Sequence, residues 1–218
     1  MIRAFLFDLD GVLTDTSEFH FRAWKRLADE NDVPFDRQDN EALRGVSRRE
    51  SLELMLKGRR VTEDQALVMM ELKNTYYLEL VSKMTPADLL PGARAILVEL
   101  GQLNILRVIV SASKNAPLVI ERLKIGDLID GIIDGSAPAR SKPAPDLFLL
   151  AAEKYAVPPA ECLVIEDAAA GIEAAHLAGM PAVGLGPAAR VGAAELVLPS
   201  LEGQQASEIL RKLRQDPR

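Results

Sequence analysis

The chain is predicted to fold as an α/β protein: a parallel sheet with helices on both faces, carrying an inserted helical domain. Three observations predict it. From about residue 93 onward, short apolar runs alternate with helical segments, and such alternation demands the crossover connections of a parallel sheet. Between residues 15 and 100 there is helical composition but no convincing strand. The first apolar run, Ile2 to Phe7 broken by Arg3, has the length and the β-branched or aromatic character of a buried strand.

That first run ends in Asp8-Leu9-Asp10-Gly11-Val12. Both acids therefore leave the strand at its carboxyl end, where open α/β sheets bind ligands. Two residues apart on extended backbone, their side chains point to the same side. Like charges held together need a cation, a shared proton or solvent, and a hard divalent ion such as Mg²⁺ suits carboxylate and carbonyl oxygens. Taken alone, the run could equally be a glycine turn that closes a strand.

Residues 14–31 then have helical composition, with breaks near Val33-Pro34, Arg44-Gly45 and Lys57-Gly58. Thr62-Glu63 has the form of a helix start, and an amphipathic segment runs on to about Lys83. Residues 86–92 read as a linker. Beyond it the strand candidates are residues 105–110, 131–133, 162–165, 182–185 and 195–198, with helices at 93–100, 116–124, 145–155 and 169–178. A core domain of residues 1–14 plus 85–218 follows, with a helical domain of residues 15–84 inserted beside the carboxylates as a lid.

The 218 residues are 48% hydrophobic and 27% charged with a net charge of −6, an ordinary globular composition. The acidic balance, without a basic block, argues against nucleic acid or an anionic membrane as partner. No apolar run reaches the ~20 residues of a membrane span, and Met1 leads directly into the strand with no secretory leader. Cys162, the only cysteine, lies in a strand candidate as a buried, inert thiol; a cytoplasmic location is the expectation.

Three later segments join the first motif. Ser111-Ala112-Ser113-Lys114-Asn115 follows a strand and leads into a helix, where hydroxyls and backbone N–H groups cradle phosphate. Simple helix capping would account for one of these residues, not the set. Lys142 stands in a proline-stiffened loop, Ser141-Lys142-Pro143-Ala144-Pro145, before the next helix. Glu166-Asp167 ends a third apolar strand and adds two acids to an oxygen-rich metal site, although Asp167 could also cap the following helix. In the inserted domain, Thr16, His20 and Trp24 recur at i, i+4 and i+8 on one helix face suited to sugar hydroxyls. Phe19, Ala23 and Leu27 supply the apolar stripe. Arg44 and Arg48 flank Gly45-Val46-Ser47, a loop able to bring guanidinium groups to a second phosphate.

With Asp8-Leu9-Asp10-Gly11-Val12, Ser111, Lys142 and Glu166-Asp167 in this order and spacing, the chain strongly resembles the haloacid dehalogenase superfamily of phosphotransferases. Asp15-Thr16, residues 20–24, residues 44–48 and residues 111–115 are similar to its sugar-phosphate mutase branch. The resemblance implies a Rossmann-like core with a helical cap, and it implies roles. Asp8 becomes the nucleophile and Asp10 the general acid/base. Mg²⁺ is held by Asp8, the Asp10 carbonyl and Asp167, with Glu166 in or next to its ligand set. Ser111 and Lys142 bind the transferring phosphoryl group, with Ala112, Ser113, Lys114 and Asn115 around it. Thr16, His20 and Trp24 meet the sugar, His20 couples Asp10 to cap closure, and Arg44, Gly45, Val46, Ser47 and Arg48 hold the distal phosphate. Lys73 and Asn74 resemble cap positions of the branch, and Arg44 stands where the branch often has Lys.

The implied reaction exchanges a phosphoryl group between carbons 1 and 6 of β-glucose, with glucose 1,6-bisphosphate as donor and a monomeric enzyme. The alternative is a sugar-phosphate phosphatase, which shares every core residue and differs in letting water attack the phosphoaspartate.

Overall fold

A computed structural model describes residues 1–215. Six short strands form one sheet: β1 (Ala4–Phe7), β2 (Leu106–Val110), β3 (Gly131–Ile133), β4 (Cys162–Glu166), β5 (Ala182–Leu185) and β6 (Leu196–Leu198). All pairings are parallel and the order is β3-β2-β1-β4-β5-β6. The first connection that reverses direction across the sheet thus leaves β1 and β4 side by side at its centre, the place where such sheets open a crevice.

Strand side chains alternate between two packed faces. Phe5, Phe7, Ile109, Leu163 and Ile165 point one way, toward helices α5 (Ala93–Gln102), α6 (Ala116–Leu123) and α10 (Ala206–Gln215). Ala4, Leu6, Val108, Cys162 and Val164 point the other way, toward α7 (Asp146–Lys154) and α8 (Ala169–Leu177). Burial on both faces explains why the strands read as continuous apolar runs. A one-turn helix, α9 (Ala188–Val191), follows β5.

Between β1 and β2 lie α1 (Ser17–Glu30), α2 (Arg37–Glu41), α3 (Arg48–Leu56) and α4 (Glu63–Val81). Ser47 and Thr62 start α3 and α4 through reciprocal hydrogen bonds with Glu50 and Gln65. Helices α1 and α4 pack through Ala23, Trp24, Leu27, Tyr76, Tyr77 and Val81, and this apolar cluster continues through Leu9, Val12 and Leu13 into the sheet core. Among the described residues, no helix is long and apolar enough to cross a membrane.

The first strand starts two residues later than the apolar run that predicts it, at Ala4, and ends with it at Phe7; the chain then bends at Leu9 rather than carrying Asp8 and Asp10 on extended backbone. Leu9 instead anchors the turn, its carbonyl accepting from the N–H groups of Leu13 and Thr14. Gly11, at φ +84°, turns in the left-handed region, and a Cβ there would overlap the Asp167 carboxylate.

Candidate active site

Strand register assembles the site. Phe7 aligns with Ile109 on one side and Ile165 on the other, so Asp8, Val110 and Glu166 come level at the carboxyl edge. Lys142 reaches this point from its own loop and is fully buried. Its Nζ donates to Asp8 Oδ1 at 2.6 Å and to the Val110 carbonyl at 3.1 Å, and pairs with Glu166. Burial opposes a charge on Lys142, yet Asp8 and Glu166 outweigh it and raise the ammonium above its ordinary range. The other oxygen of Asp8 accepts the Asp10 N–H at 2.9 Å. Glu166 Oε2 accepts the N–H groups of Asp167 and Ala168 at 3.0 and 3.1 Å.

Carboxylate oxygens of Asp8, Glu166 and Asp167 all lie within 4.8 Å of one another, and the three residues are buried. Burial, then the neighbouring charges of Asp8 and Arg44, leaves Asp167 raised to about 6; Glu166 is likewise raised, chiefly by burial. Crowded, desolvated carboxylates of this kind are what a hard cation relieves, so the all-oxygen donor set fits Mg²⁺. Asp167 does not cap α8: the cap position is Ala168, and the Asp167 carboxylate meets Arg44 Nη1 at 2.8 Å.

Asp10 lies outside the carboxylate cluster. Its carboxyl receives a hydrogen bond from the Thr16 hydroxyl. Burial first, then repulsion by Asp8 and Asp167, raises it to about 8, against the pull of Lys73 and Lys142. A carboxyl poised there can give or take a proton near neutral pH.

A cavity of about 330 Å³ opens between sheet edge and helical layer. It is lined by Asp8, Asp10 and Asp167 of the sheet edge, by His20 and Trp24 of α1 and Lys73 of α4, by Arg44, Gly45, Val46, Ser47 and Arg48 of the helical layer, and by Ala112, Ser113 and Lys114 of the loop after β2. Thr16, Asn74, Ser111, Asn115, Lys142 and Glu166 do not line it. Thr16 has its hydroxyl on Asp10 rather than in the cavity. Ser111 Oγ accepts the Ser113 N–H at 3.1 Å. Asn74 Oδ1 receives both Arg48 Nη2 and Asn115 Nδ2 at 2.9 Å, joining α3 to the loop after β2. Asn115 makes no side-chain cap on α6.

Lys73 Nζ lies 2.8 Å from His20 Nδ1. Burial, then the nearby cations Lys73 and Arg48, keeps His20 neutral; burial and Arg48 lower Lys73 to about 7. Donation from Lys73 to Nδ1 leaves the His20 proton on Nε2, an atom with no hydrogen-bond partner beside the cavity.

Some neighbours were not legible. Tyr77 stacks its ring on His20 at 4.2 Å and buries an unpartnered hydroxyl; it follows Lys73 by four residues, so the same helix-face logic that links Thr16, His20 and Trp24 would have found it. Ser17, Leu43 and Met70 also line the cavity. Arg190, whose Nε donates to the Asp167 carbonyl at 2.6 Å, has no local sequence signal.

A family model described as haloacid dehalogenase-like hydrolase matches residues 2–179. The chain is 47% identical to a β-phosphoglucomutase of Bacillus subtilis over 201 residues, 90% of this chain and 89% of that protein. It is 29% identical to a phosphorylated carbohydrates phosphatase of Thermotoga maritima, covering 82% of each. A crystal structure of β-phosphoglucomutase from Clostridium difficile superposes with a TM-score of 0.95 at 39% identity, covering 99% of this chain and 98% of that one.

Proposed function

The chain belongs to the haloacid dehalogenase-like hydrolase family, and from that premise we propose that it acts as a β-phosphoglucomutase, interconverting β-glucose 1-phosphate and glucose 6-phosphate. One observation carries the reading beyond a phosphatase: besides Lys142, which pairs with Asp8 and Glu166 at the sheet edge, the cavity is lined by two more cations, Arg48 and Lys114, that do not pair with those acids. A mutase must hold a bisphosphate by both ends, whereas hydrolysis of a monoester needs only one.

In this reading residues 15–84 are the cap and residues 1–14 with 85–218 the core. Asp8 attacks phosphorus in line and becomes the phosphoaspartate, its carboxylate already aimed by Lys142 and the Asp10 N–H. Asp10 takes the proton from the attacking sugar hydroxyl and returns one to the leaving oxygen. Lys142 and Ser111 hold the transferring phosphoryl group, Arg48 the distal one, and His20 ties Asp10 to the closed cap through Thr16. Asp8, Asp167 and the Asp10 carbonyl, beside Glu166, would hold Mg²⁺, which would neutralise charge on the phosphoryl oxygens. Glucose 1,6-bisphosphate serves as phosphoryl donor and as the intermediate that turns over in the cavity. The protein works as a cytoplasmic monomer.

Phosphorus NMR of the protein with Mg²⁺, β-glucose 1-phosphate and a trace of glucose 1,6-bisphosphate tests this. The expected product is glucose 6-phosphate with little free phosphate; free phosphate as the main product would sink the mutase reading and make the chain a phosphatase.

A further inference from the structure

Beside Asp167 and Arg44, two charges without a role so far, Glu41 and Arg190, complete a set that crosses between helical layer and sheet. Arg190, in α9, donates from Nε to the Asp167 backbone carbonyl at 2.6 Å, and its Nη2 lies 3.8 Å from Asp167 Oδ2. Its Nη1 reaches across to Glu41 Oε2, at the end of α2, at 3.6 Å. Arg44 closes the set: its Nε lies 3.2 Å from Glu41, and its Nη1 meets Asp167 Oδ2 at 2.8 Å and Ser17 Oγ at 3.1 Å. Glu41, Arg44, Asp167 and Arg190 thus alternate in sign around a ring, and two of its links join helical layer to core. On the core side the guanidinium packs close to Gly186, after β5, where a Cβ would come within 2.7 Å of Arg190 Nη2.

We propose that Arg190 is a positioning residue that fixes the Asp167 loop and takes Glu41 as its partner when the cap shuts. Cap closure and the placement of Asp167 then become one event. A guanidinium suits this because its planar fork serves a carbonyl on one edge and a carboxylate on another, which a lysine ammonium cannot do in the same geometry. The inference rests on the reading of residues 15–84 as a cap that opens and closes.

Trp24 offers a direct reporter. It is the only tryptophan, lines the cavity and is 2% exposed with the cap shut, so acrylamide quenches it in proportion to opening. In the free protein, Glu41→Gln and Arg190→Gln are each expected to raise the quenching constant about two- to fivefold, the range one partly exposed ion pair supports. The double variant should go no further than the larger single. Quenching unchanged in both singles, or effects that multiply in the double, would overturn the proposal.

Kinetics supply the second arm. Glu41→Gln should lower kcat/KM for β-glucose 1-phosphate several-fold and leave p-nitrophenyl phosphate hydrolysis unchanged; equal losses on both would count against it. Arg190→Gln should lose on both substrates, because it also frees the Asp167 loop, and Arg190→Lys should resemble it rather than the parent. Should Arg190→Gln not fold, Glu41→Gln at an exposed helix end carries the test alone. Should the parent not convert the sugar, the functional reading fails while the quenching comparison still decides the clasp.

Discussion

At Asp8 a carboxylate is held in one orientation by two donors of different kinds. Lys142 Nζ takes one oxygen at 2.6 Å and the Asp10 N–H takes the other at 2.9 Å, which leaves rotation about the Cβ–Cγ bond little freedom. Preorganisation of this sort is where a phosphotransferase gains most, since the protein contributes positioning and charge rather than difficult bond chemistry. Asp8→Asn keeps the shape but can accept only one of these two hydrogen bonds, and it removes the nucleophile. We expect phosphoryl transfer to fall by on the order of 10⁵- to 10⁶-fold, as for other deleted nucleophiles, with no phosphoenzyme detectable by mass spectrometry after incubation with glucose 1,6-bisphosphate. Retained turnover would remove Asp8 from that role. At this scale Asp8, Asp10, Ser111, Glu166 and Asp167 were legible because each sits at or just past a strand end, and strand ends are legible from apolar runs; Lys142 was legible instead from the prolines that stiffen its loop before α7. Glu41 and Arg190 were not legible: each is a single charge on a helix of four or five residues, and only the tertiary fold brings them together.

The C-terminal helix shows how one element depends on another. Ala206 and Ile209 of α10 are fully buried against the face that holds α5, and the free N–H groups of its first turn need an acceptor. Glu99 of α5 does that work, accepting from Ala206 N at 2.7 Å, Ser207 N at 3.1 Å and Ser207 Oγ at 2.8 Å. Burial would raise the Glu99 carboxyl, but these donors prevail and hold it below 4.5. A lowered folded-state value stabilises the protein above the unfolded value and loses that stabilisation as pH falls through the folded value. Glu99→Gln is therefore expected to cost about 1 kcal/mol near pH 7, or about 2–4 °C in Tm for a chain of this size. The gap between variant and parent should close as pH drops below about 4.5 in a series of thermal melts. A gap independent of pH would assign Glu99 a packing role only. The strands and helices α5 to α8 were legible within a residue or two because their apolar runs and periods are clear, and α4 because Thr62 caps its start. The short α2 and α9 were not, since four or five residues show no period, and α10 was passed over because its first turn borrows its cap from a residue more than a hundred positions earlier.

For the whole molecule, the decisive relation is between the helical layer and the sheet edge, since the reaction proposed needs both phosphates of one sugar held at once. Arg48 begins α3, and its Nη2 donates to Asn74 Oδ1, the same oxygen that receives Asn115 Nδ2 from the loop after β2. Asn74 of α4 thereby links Arg48 of the helical layer to the loop after β2, and Arg48 lines the cavity. Burial pulls the guanidinium below its ordinary value, but with only Glu71 as a distant acid at 3.7 Å it stays an underpaired cation. An anion in the cavity would satisfy it. Arg48→Ala should leave Asp8, Lys142 and the acidic cluster untouched, so a small aryl phosphate, which has no second phosphate, should be hydrolysed within about threefold of the parent rate. For β-glucose 1-phosphate, loss of a charge-assisted contact of about 1.5–3 kcal/mol lowers kcat/KM by about 10- to 100-fold. The same variant should shift the product balance toward free phosphate, because a phosphoenzyme facing a loosely held sugar is exposed to water for longer. If instead both substrates lose activity equally, Arg48 stabilises the cap rather than the distal phosphate, and the two-ended reading of the cavity loses the residue on which it leans most.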